Sequence, residues 1–398
     1  MDGMTDTKPT AEELLSRARG MIPTLRERAV RQMEHRRILP ETMAELKSAG
    51  LFRILQPRRW GGYELPPGAF FDVQMALAEG DVSVGWVYGI VGVHSFHLAL
   101  FDDRAAEDVW GRDSNALIAS PYSPGKAVPV EGGYRLTGRW KFSSGTEHCD
   151  WIFLGGVVDR GDSHESFLDA DFRTFLLPRG DYQIIDTWKV IGLKGTGSQD
   201  IAVDGSFVPE HRTHRMSDAR DGTNPGSAPR DSALYRYPYW QVFLRAVSTA
   251  AIGGLQGMVD AFIDYGAKRV SVTGARTVFD PEATLALAEA RAGIDEMKAT
   301  LHRNFARMAP FAERGQLPPA DDRMLFKFQC VSTAQRCQAL ALPLFRAAGG
   351  SGIFDAQPFG KFYTDILAMG NHVANSYQTP GRNWGGAMMG IPSQDTLL

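Results

Sequence analysis

Hydrophobic positions change their spacing twice along this chain, and the changes mark off three regions. From Ala11 to about Trp110 the residue types favour helix, with Pro40-Glu41 opening one segment and a turn at Trp60-Gly61-Gly62 before the next. From about Ala116 to Arg212 apolar residues alternate over short runs, as at Tyr134 and Leu136 and then Trp140 and Phe142. Gly132-Gly133 and Gly155-Gly156 punctuate these runs, which predicts strands. Helical spacing returns in Leu244, Val247, Ala251, Leu255, Met258 and Phe262, one face of a long helix. Leu287, Ala290, Ile294, Met297, Leu301, Phe305 and Met308 repeat it, with Asp280-Pro281 as cap and first turn. A third helix is predicted from near Asp321 to about Ala348, where Gly349-Gly350 stops it, and a fourth from roughly Pro358 to Ser376.

The fold class that follows is α+β: an N-terminal helical domain over 1–115, a middle β-domain over 116–216, and a C-terminal four-helix bundle over 234–398. Between the last two, residues 217–233 (DARDGTNPGSAPRDSAL) are rich in Gly, Pro, Ser and Asp without periodicity. They read as a mobile linker or lid.

Composition narrows the function classes. The chain has 398 residues, 43 Lys+Arg against 46 Asp+Glu, and a net charge of −3, so no overall basic field draws it to nucleic acid or anionic lipid. Cys149, Cys330 and Cys337 have no CxxC spacing, which points to reduced thiols and a cytoplasmic protein. The polar opening MDGMTDTKPTAEELL lacks the apolar core of a signal peptide or anchor, and no later stretch reads as a membrane span. Signatures for dinucleotide-binding folds, P-loops, zincins and serine hydrolases are missing. The pairs His94/His97 (HSFH) and His211/His214 lack a carboxylate or third ligand at metal spacing, so no metal site is expected.

Four ordered strings carry a resemblance over essentially the whole chain: LKSAGLFRILQPRRWGGYELP (47–67), GGYRLTGRWKFSSGTEHCDW (132–151), WKVIGLKGTGSQDIAVDGSFVPEHR (188–212) and RAAGGSGIF (346–354). Together with the order helices, strands, bundle, they resemble the acyl-CoA dehydrogenase superfamily. The GRWKFSSG string and His372 look like its flavin-dependent hydroxylase branch. That resemblance implies the oxygenase component of a two-component monooxygenase, which turns a phenol into a catechol through a flavin C4a-hydroperoxide. Reduced FMN or FAD would come from a separate NAD(P)H:flavin reductase, dioxygen would be the co-substrate, and a phenolic secosteroid is the expected substrate. The assembly implied is a homotetramer.

A flavin ring needs a flat apolar wall and hydrogen bonds at its N5 edge. On alternation, Trp140 and Phe142 share one strand face, and Ser143, Ser144 and Gly145 end the strand where a hydroxyl or backbone approaches a ring closely. By resemblance Ser144 bonds N5, Ser198 in GLKGTGSQD faces phosphate, and Gly349-Gly350 meet a neighbouring subunit's flavin. His94, in the apolar IVGVHSFHLAL, and Ser120, ending ALIAS, are placed at the phenol. His372, in MGNHVANSY, sits where many dehydrogenases of the fold carry a catalytic glutamate. A thioester dehydrogenase needs a carboxylate base, whereas an imidazole can donate a proton as well as accept one. The missing glutamate therefore favours hydroxylation over an acyl-CoA dehydrogenase or oxidase, and the balanced charge without a basic run argues against a second rival, a non-catalytic, DNA-associated member of the fold. His148 is read as structural.

Overall fold

The computed structural model describes residues 8–161, 171–395 and 397–398; the first seven residues of the polar opening lie outside that range. The first helix, α1 (Ala11–His35), starts at a capping box in which Thr10 and Glu13 satisfy each other's backbone N–H groups. It is followed by α2 (Pro40–Ser48), α3 (Pro67–Gly80), α4 (Val82–Gly92), α5 (His94–Leu98) and α6 (Asp103–Trp110). Both α3 and α4 are buried almost all round, because α1 covers one side of α3 while the C-terminal helices cover the other.

An eight-stranded sheet follows, with β1 (Ile118–Ala119), β2 (Gly125–Val130), β3 (Gly133–Ser143), β4 (Trp151–Val158), β5 (Phe172–Pro178), β6 (Gln183–Ile185), β7 (Gln199–Pro209) and β8 (Thr213–Arg215). Its order is β6-β7-β3-β2-β4-β5-β8, with β1 beside β4. The pairing slips between Trp140 and Ser143, so β3 carries a bulge at the end nearest the serines.

Residues 217–233 are not the featureless linker that their composition suggests. They run through α7 (Met216–Asp221) and α8 (Ala228–Asp231), and they are tied down. Gly226 donates to Leu100 O, and Asp103 accepts from both the backbone and the hydroxyl of Ser227. Turn-rich composition reports local backbone freedom and cannot see a distant carbonyl that satisfies the turn.

The C-terminal region holds α9 (Tyr239–Ser248), α10 (Ala250–Lys268), α11 (Pro281–Glu313), α12 (Ala320–Val331), α13 (Thr333–Ala347), α14 (Phe359–Gly370) and α15 (Gln378–Met388). Asp280 caps α11 by accepting from the N–H groups of Glu282 and Ala283, worth about 1 kcal/mol. The first stripe is divided at Thr249, whose hydroxyl bonds back to Arg245 O, and the third helix is divided at Ser332. The fourth stops at Gly370, six residues early, because the chain there turns to place His372 as the cap of a short 3-10 turn. Tyr239–Lys268 is long and apolar enough to cross a membrane, and its most apolar 18-residue window is wholly buried, as the central element of a bundle must be.

Candidate active site

Two polar clusters lie at opposite ends of the α4–α5 segment, in a region otherwise made of aromatic and branched side chains. At the first, β3 ends on the bulge. Phe142 adopts φ +68°, a conformation non-glycine residues avoid, and is thrown outward to 61% exposure, edge-on to Trp188. Trp140 points the other way, 1% exposed, with its indole N–H on Gly155 O. The expectation that Trp140 and Phe142 share a face is therefore overturned: one extra residue in a strand reverses the alternation. Trp140 is sheet core, and the exposed aromatic surface is Phe142 with Trp188.

Next to it Ser143 is buried with no partner for its hydroxyl, and Gly145 takes a left-handed conformation against Val87. Ser144 sits in a chain of hydroxyls whose direction is fixed by its end. Thr196 donates to Leu193 O, so Ser198 donates to Thr196, and Ser144 in turn donates to Ser198. Trp86 Nε1 donates to Ser144 Oγ at 3.0 Å, which leaves Ser144 one free lone pair and no free hydrogen. Ser198, expected over a phosphate, is 3% exposed and held by Ser144 and Thr196.

His372 lies across Trp86 from Ser144, its ring edge-on to the indole at 5.4 Å. Its Nδ1 accepts the N–H of Ala374, so the neutral ring carries its hydrogen on Nε2. Burial lowers its pKa to about 4, and it is neutral at pH 7. With Nδ1 committed to the backbone, the imidazole has one working nitrogen, a donor, and not the two-way group the sequence suggested. Gly349, after the end of α13, has φ +65° and ψ −167°, a region only glycine visits, and Gly350 is exposed with open space around it. Ile353 and Phe354 beside them are 70% and 66% exposed.

The second cluster centres on His94, fully buried, with Nε2 2.7 Å from Ser120 Oγ. Phe153 packs edge-on to its ring and Phe243 lies roughly parallel to it. In that dry setting burial lowers the His94 pKa to about 3. Tyr122, half-buried, touches His94 Nδ1 and His97 Nδ1, while Tyr239 reaches both Tyr122 and His97. His97 and His214 face each other at 3.1 Å. Sequence reasoning set these two aside with the unfulfilled metal pairs. The i, i+3 spacing of His94 and His97 was the available signal, since it puts both rings on one helical face. His148 bonds Ile38 O through its ring and Gly145 O through its backbone N–H. Among the described residues no group of His, Cys, Asp and Glu is arranged to hold a metal.

Burying three imidazoles and half-burying a fourth, all in neutral form, makes the fold acid-sensitive. His94, His97, His214 and His372 all have folded pKa values below the ordinary ~6.5, chiefly through burial. Below that pH the unfolded chain binds protons the folded chain refuses. Stability is thus full above neutrality and falls from about pH 6.5 towards pH 4, by up to ~1.4 kcal/mol per pH unit per histidine. Denaturant midpoints at pH 7.5, 6 and 5 should decline steadily; equal midpoints would mean that these rings are not neutral in the folded state.

Flavin chemistry fits what is present: a serine acceptor, an unpartnered buried hydroxyl, an outward aromatic pair and an imidazole donor. Comparison with known proteins agrees. Residues 246–377 match the family model "Acyl-CoA dehydrogenase, C-terminal domain". The chain is 35% identical over 387 residues to the oxygenase subunit HsaA of a flavin-dependent monooxygenase from Rhodococcus jostii, covering 96% of this chain and 100% of that protein. It is 30% identical to the oxygenase component of an FADH(2)-dependent resorcinol hydroxylase from Rhizobium, covering 97% of this chain and 96% of the other. The crystal structure of the 3-HSA hydroxylase from Rhodococcus sp. RHA1 superposes with a TM-score of 0.92 at 35% identity, over 97% of this chain and 99% of that one.

Proposed function

The chain belongs to the oxygenase subunits of flavin-dependent monooxygenases, on the acyl-CoA dehydrogenase fold, and from that membership we propose that it hydroxylates a phenol, a phenolic secosteroid, at the carbon next to the phenol oxygen. As an oxygenase component of a two-component aromatic hydroxylase it uses reduced flavin, FMN or FAD, with dioxygen, and a separate reductase supplies the flavin. Bound reduced flavin activates dioxygen and delivers one oxygen atom to the ring.

The observation that carries the phenol reading is the 2.7 Å contact between His94 and Ser120 in a dry, aromatic-lined site. Ser120 accepts the phenol O–H with a free lone pair while its own hydrogen points to His94 Nε2, and the pair draws the phenol proton, which raises electron density at the adjacent carbon. Tyr122, half-buried where Ser120 and His94 are buried, marks the side from which the ring enters. At the other cluster the free lone pair of Ser144 accepts an N–H, which suits reduced flavin, whose N5 bears hydrogen. Phe142 and Trp188 supply the apolar surface, and the Nε2–H of His372 donates to the activated oxygen. His94 is not where the proton comes to rest. Burial holds its imidazole far below the ordinary histidine pKa, so a proton that reaches it moves on.

The test is product analysis with a panel of phenols, among them a phenolic secosteroid, with NADH, flavin and a flavin reductase. Catechols should form only with the reductase present. Rapid NADH oxidation by the purified chain alone would sink the two-component reading of the site.

We also propose a homotetramer in the cytoplasm, with Gly349, Gly350 and the exposed Ile353 and Phe354 against a neighbouring subunit's flavin site. The three cysteines are buried and unpaired, in keeping with a reducing compartment. Sedimentation should give four copies per particle, and a stable, active monomer would count against this assembly.

A further inference from the structure

From His94 a line of hydrogen-bonded groups runs through the interior to the surface, and every link is within reach of the next. Ser120 Oγ meets His94 Nε2 at 2.7 Å, and His94 Nδ1 meets the Tyr122 hydroxyl at 3.4 Å. That hydroxyl meets His97 Nδ1 at 3.0 Å, and His97 Nε2 meets His214 Nδ1 at 3.1 Å. His214 Nε2 finally meets Asn224 Oδ1 at 2.9 Å, and Asn224 is half-buried at the surface. His94, His97 and His214 are at most 1% exposed.

The last link sets the direction of all the others. Asn224 Oδ1 only accepts, so His214 carries hydrogen on Nε2 and accepts at Nδ1. His97 then donates from Nε2 and accepts at Nδ1; Tyr239 spends its hydrogen on Tyr122, so Tyr122 donates to His97, and His94 donates from Nδ1. The one lone pair left at the inner end is His94 Nε2, facing Ser120. Each ring thus accepts on its inner nitrogen and donates from its outer one, the arrangement that lets a proton enter at one end while another leaves at the far end.

We propose that Ser120, His94, Tyr122, His97 and His214 form a proton relay that carries the phenol proton out to solvent beside Asn224. This rests on the reading of His94 and Ser120 as the phenol site. In one passage the phenol O–H breaks and its proton joins Ser120 Oγ, while the Ser120 proton moves to His94 Nε2. His94 Nδ1–H passes to Tyr122, the Tyr122 proton to His97 Nδ1, His97 Nε2–H to His214 Nδ1, and His214 Nε2–H to water at the outlet. One proton enters and one leaves, and the phenol oxygen keeps both electrons of its O–H bond. When the hydroxylated ring loses its C–H proton and becomes aromatic again, the former phenol oxygen takes a proton back from Ser120, and the same links run inward from His214 Nε2, which resets the tautomers. The relay explains why imidazoles held neutral by burial are lined up behind a group that cannot keep the proton itself. Asn224 lies in the segment 217–233, which Gly226 and Ser227 fasten to the chain around Leu100 and Asp103, so that segment builds the outlet.

The experiment is a single turnover with chemically reduced FMN, dioxygen and the phenol from the panel that the wild type hydroxylates fastest. His214→Gln keeps a hydrogen-bonding side chain but cannot exchange a proton between two ring nitrogens. Catechol formation should slow roughly 10- to 100-fold, a share of the usual effect of acid–base groups, with phenol affinity unchanged. Plotted against the deuterium fraction of the solvent, the wild-type rate should curve, as several protons in motion require, and the variant's should be straight. In His214→Ala, added imidazole should restore the rate, whereas thiazole, of similar size but without an N–H, should not. Asn224→Leu, half-buried at the outlet and outside the core, should show the same slowing if His214 variants fold poorly. Wild-type rates in both His214→Gln and Asn224→Leu, with a slow His94→Gln, would overturn the relay and leave the phenol site standing. A wild-type rate in His94→Gln would overturn the phenol site itself.

Discussion

Changing His372 to alanine should lower the rate of catechol formation by roughly 10²–10⁴, the range typical of a positioned acid–base group, while the variant still binds and consumes reduced flavin. Its Nδ1 is occupied by the N–H of Ala374 and its Nε2–H is the free donor, so what disappears is one hydrogen bond to the activated oxygen. Flavin consumed without that bond should appear as hydrogen peroxide rather than as catechol. His372 also caps the turn at Val373–Asn375, so alanine removes a cap worth about 1 kcal/mol as well. His372→Asn separates the two roles, because an asparagine carbonyl can accept from Ala374 N–H but offers no imidazole donor. Both variants should be uncoupled, and only the alanine should show a lower unfolding midpoint. Near-normal coupling in His372→Asn would make His372 a structural cap and remove it from the chemistry.

The largest loss of stability is expected at Lys361, on α14. Its ammonium lies 2.7 Å from both Asp81 Oδ1 and Asp365 Oδ2, and these carboxylates are 0% and 3% exposed. Asp81 caps α4 through the N–H of Ser83 and accepts from Gln32 of α1, while Asp365 accepts the N–H of Leu193 from the loop before β7. One cation thus holds α14, the N-terminal helices and a loop of the sheet region together. That loop comes so close that a side chain at Gly192 would meet the carbonyl of Thr364. Lys361→Ala leaves two carboxylates buried without their counter-charge, and removing one partner of a buried ion pair costs about 3–5 kcal/mol. Burial already pushes the Asp365 pKa upward, and without the lysine it would take up a proton, recovering part of that cost. The unfolding midpoint in urea should drop sharply and the deficit should shrink at lower pH. A variant as stable as the wild type at pH 7.5 would show that the three parts are not joined through this lysine.

Both residues illustrate how differently parts of this protein can be read from a sequence. The apolar stripes at Leu244–Phe262 and Leu287–Met308 and the alternation through Tyr134 and Leu136 reflect local periodicity, which depends only on neighbours three, four or two positions away. Helices, strands and their order were therefore legible, as was the absence of a glutamate where His372 stands. The ends of elements were less so, because the turn after Gly370 and the break at Thr249 are set by individual hydrogen bonds.

The alternation rule failed at Phe142 for a related reason. A bulge leaves no mark on composition, and its single extra residue sent Trp140 into the sheet core and Phe142 outward. Likewise Lys361 meets Asp81 across 280 residues, and nothing near either in the chain announces the other. His97 and His214 are 117 residues apart, and their meeting depends on where β8 runs beneath α5.

The sequence by itself determined the elements, the class of fold and the kinds of group available for chemistry, because periodicity, caps and side-chain identity are local properties. Only the tertiary structure decided which nitrogen of His372 is free, which way the hydroxyls at Ser144 point, and that Ser120, His94, Tyr122, His97 and His214 stand in one line. Direction in a hydrogen-bonded chain is fixed by the acceptor at its end, and here that acceptor comes from a segment whose composition promised only a loop.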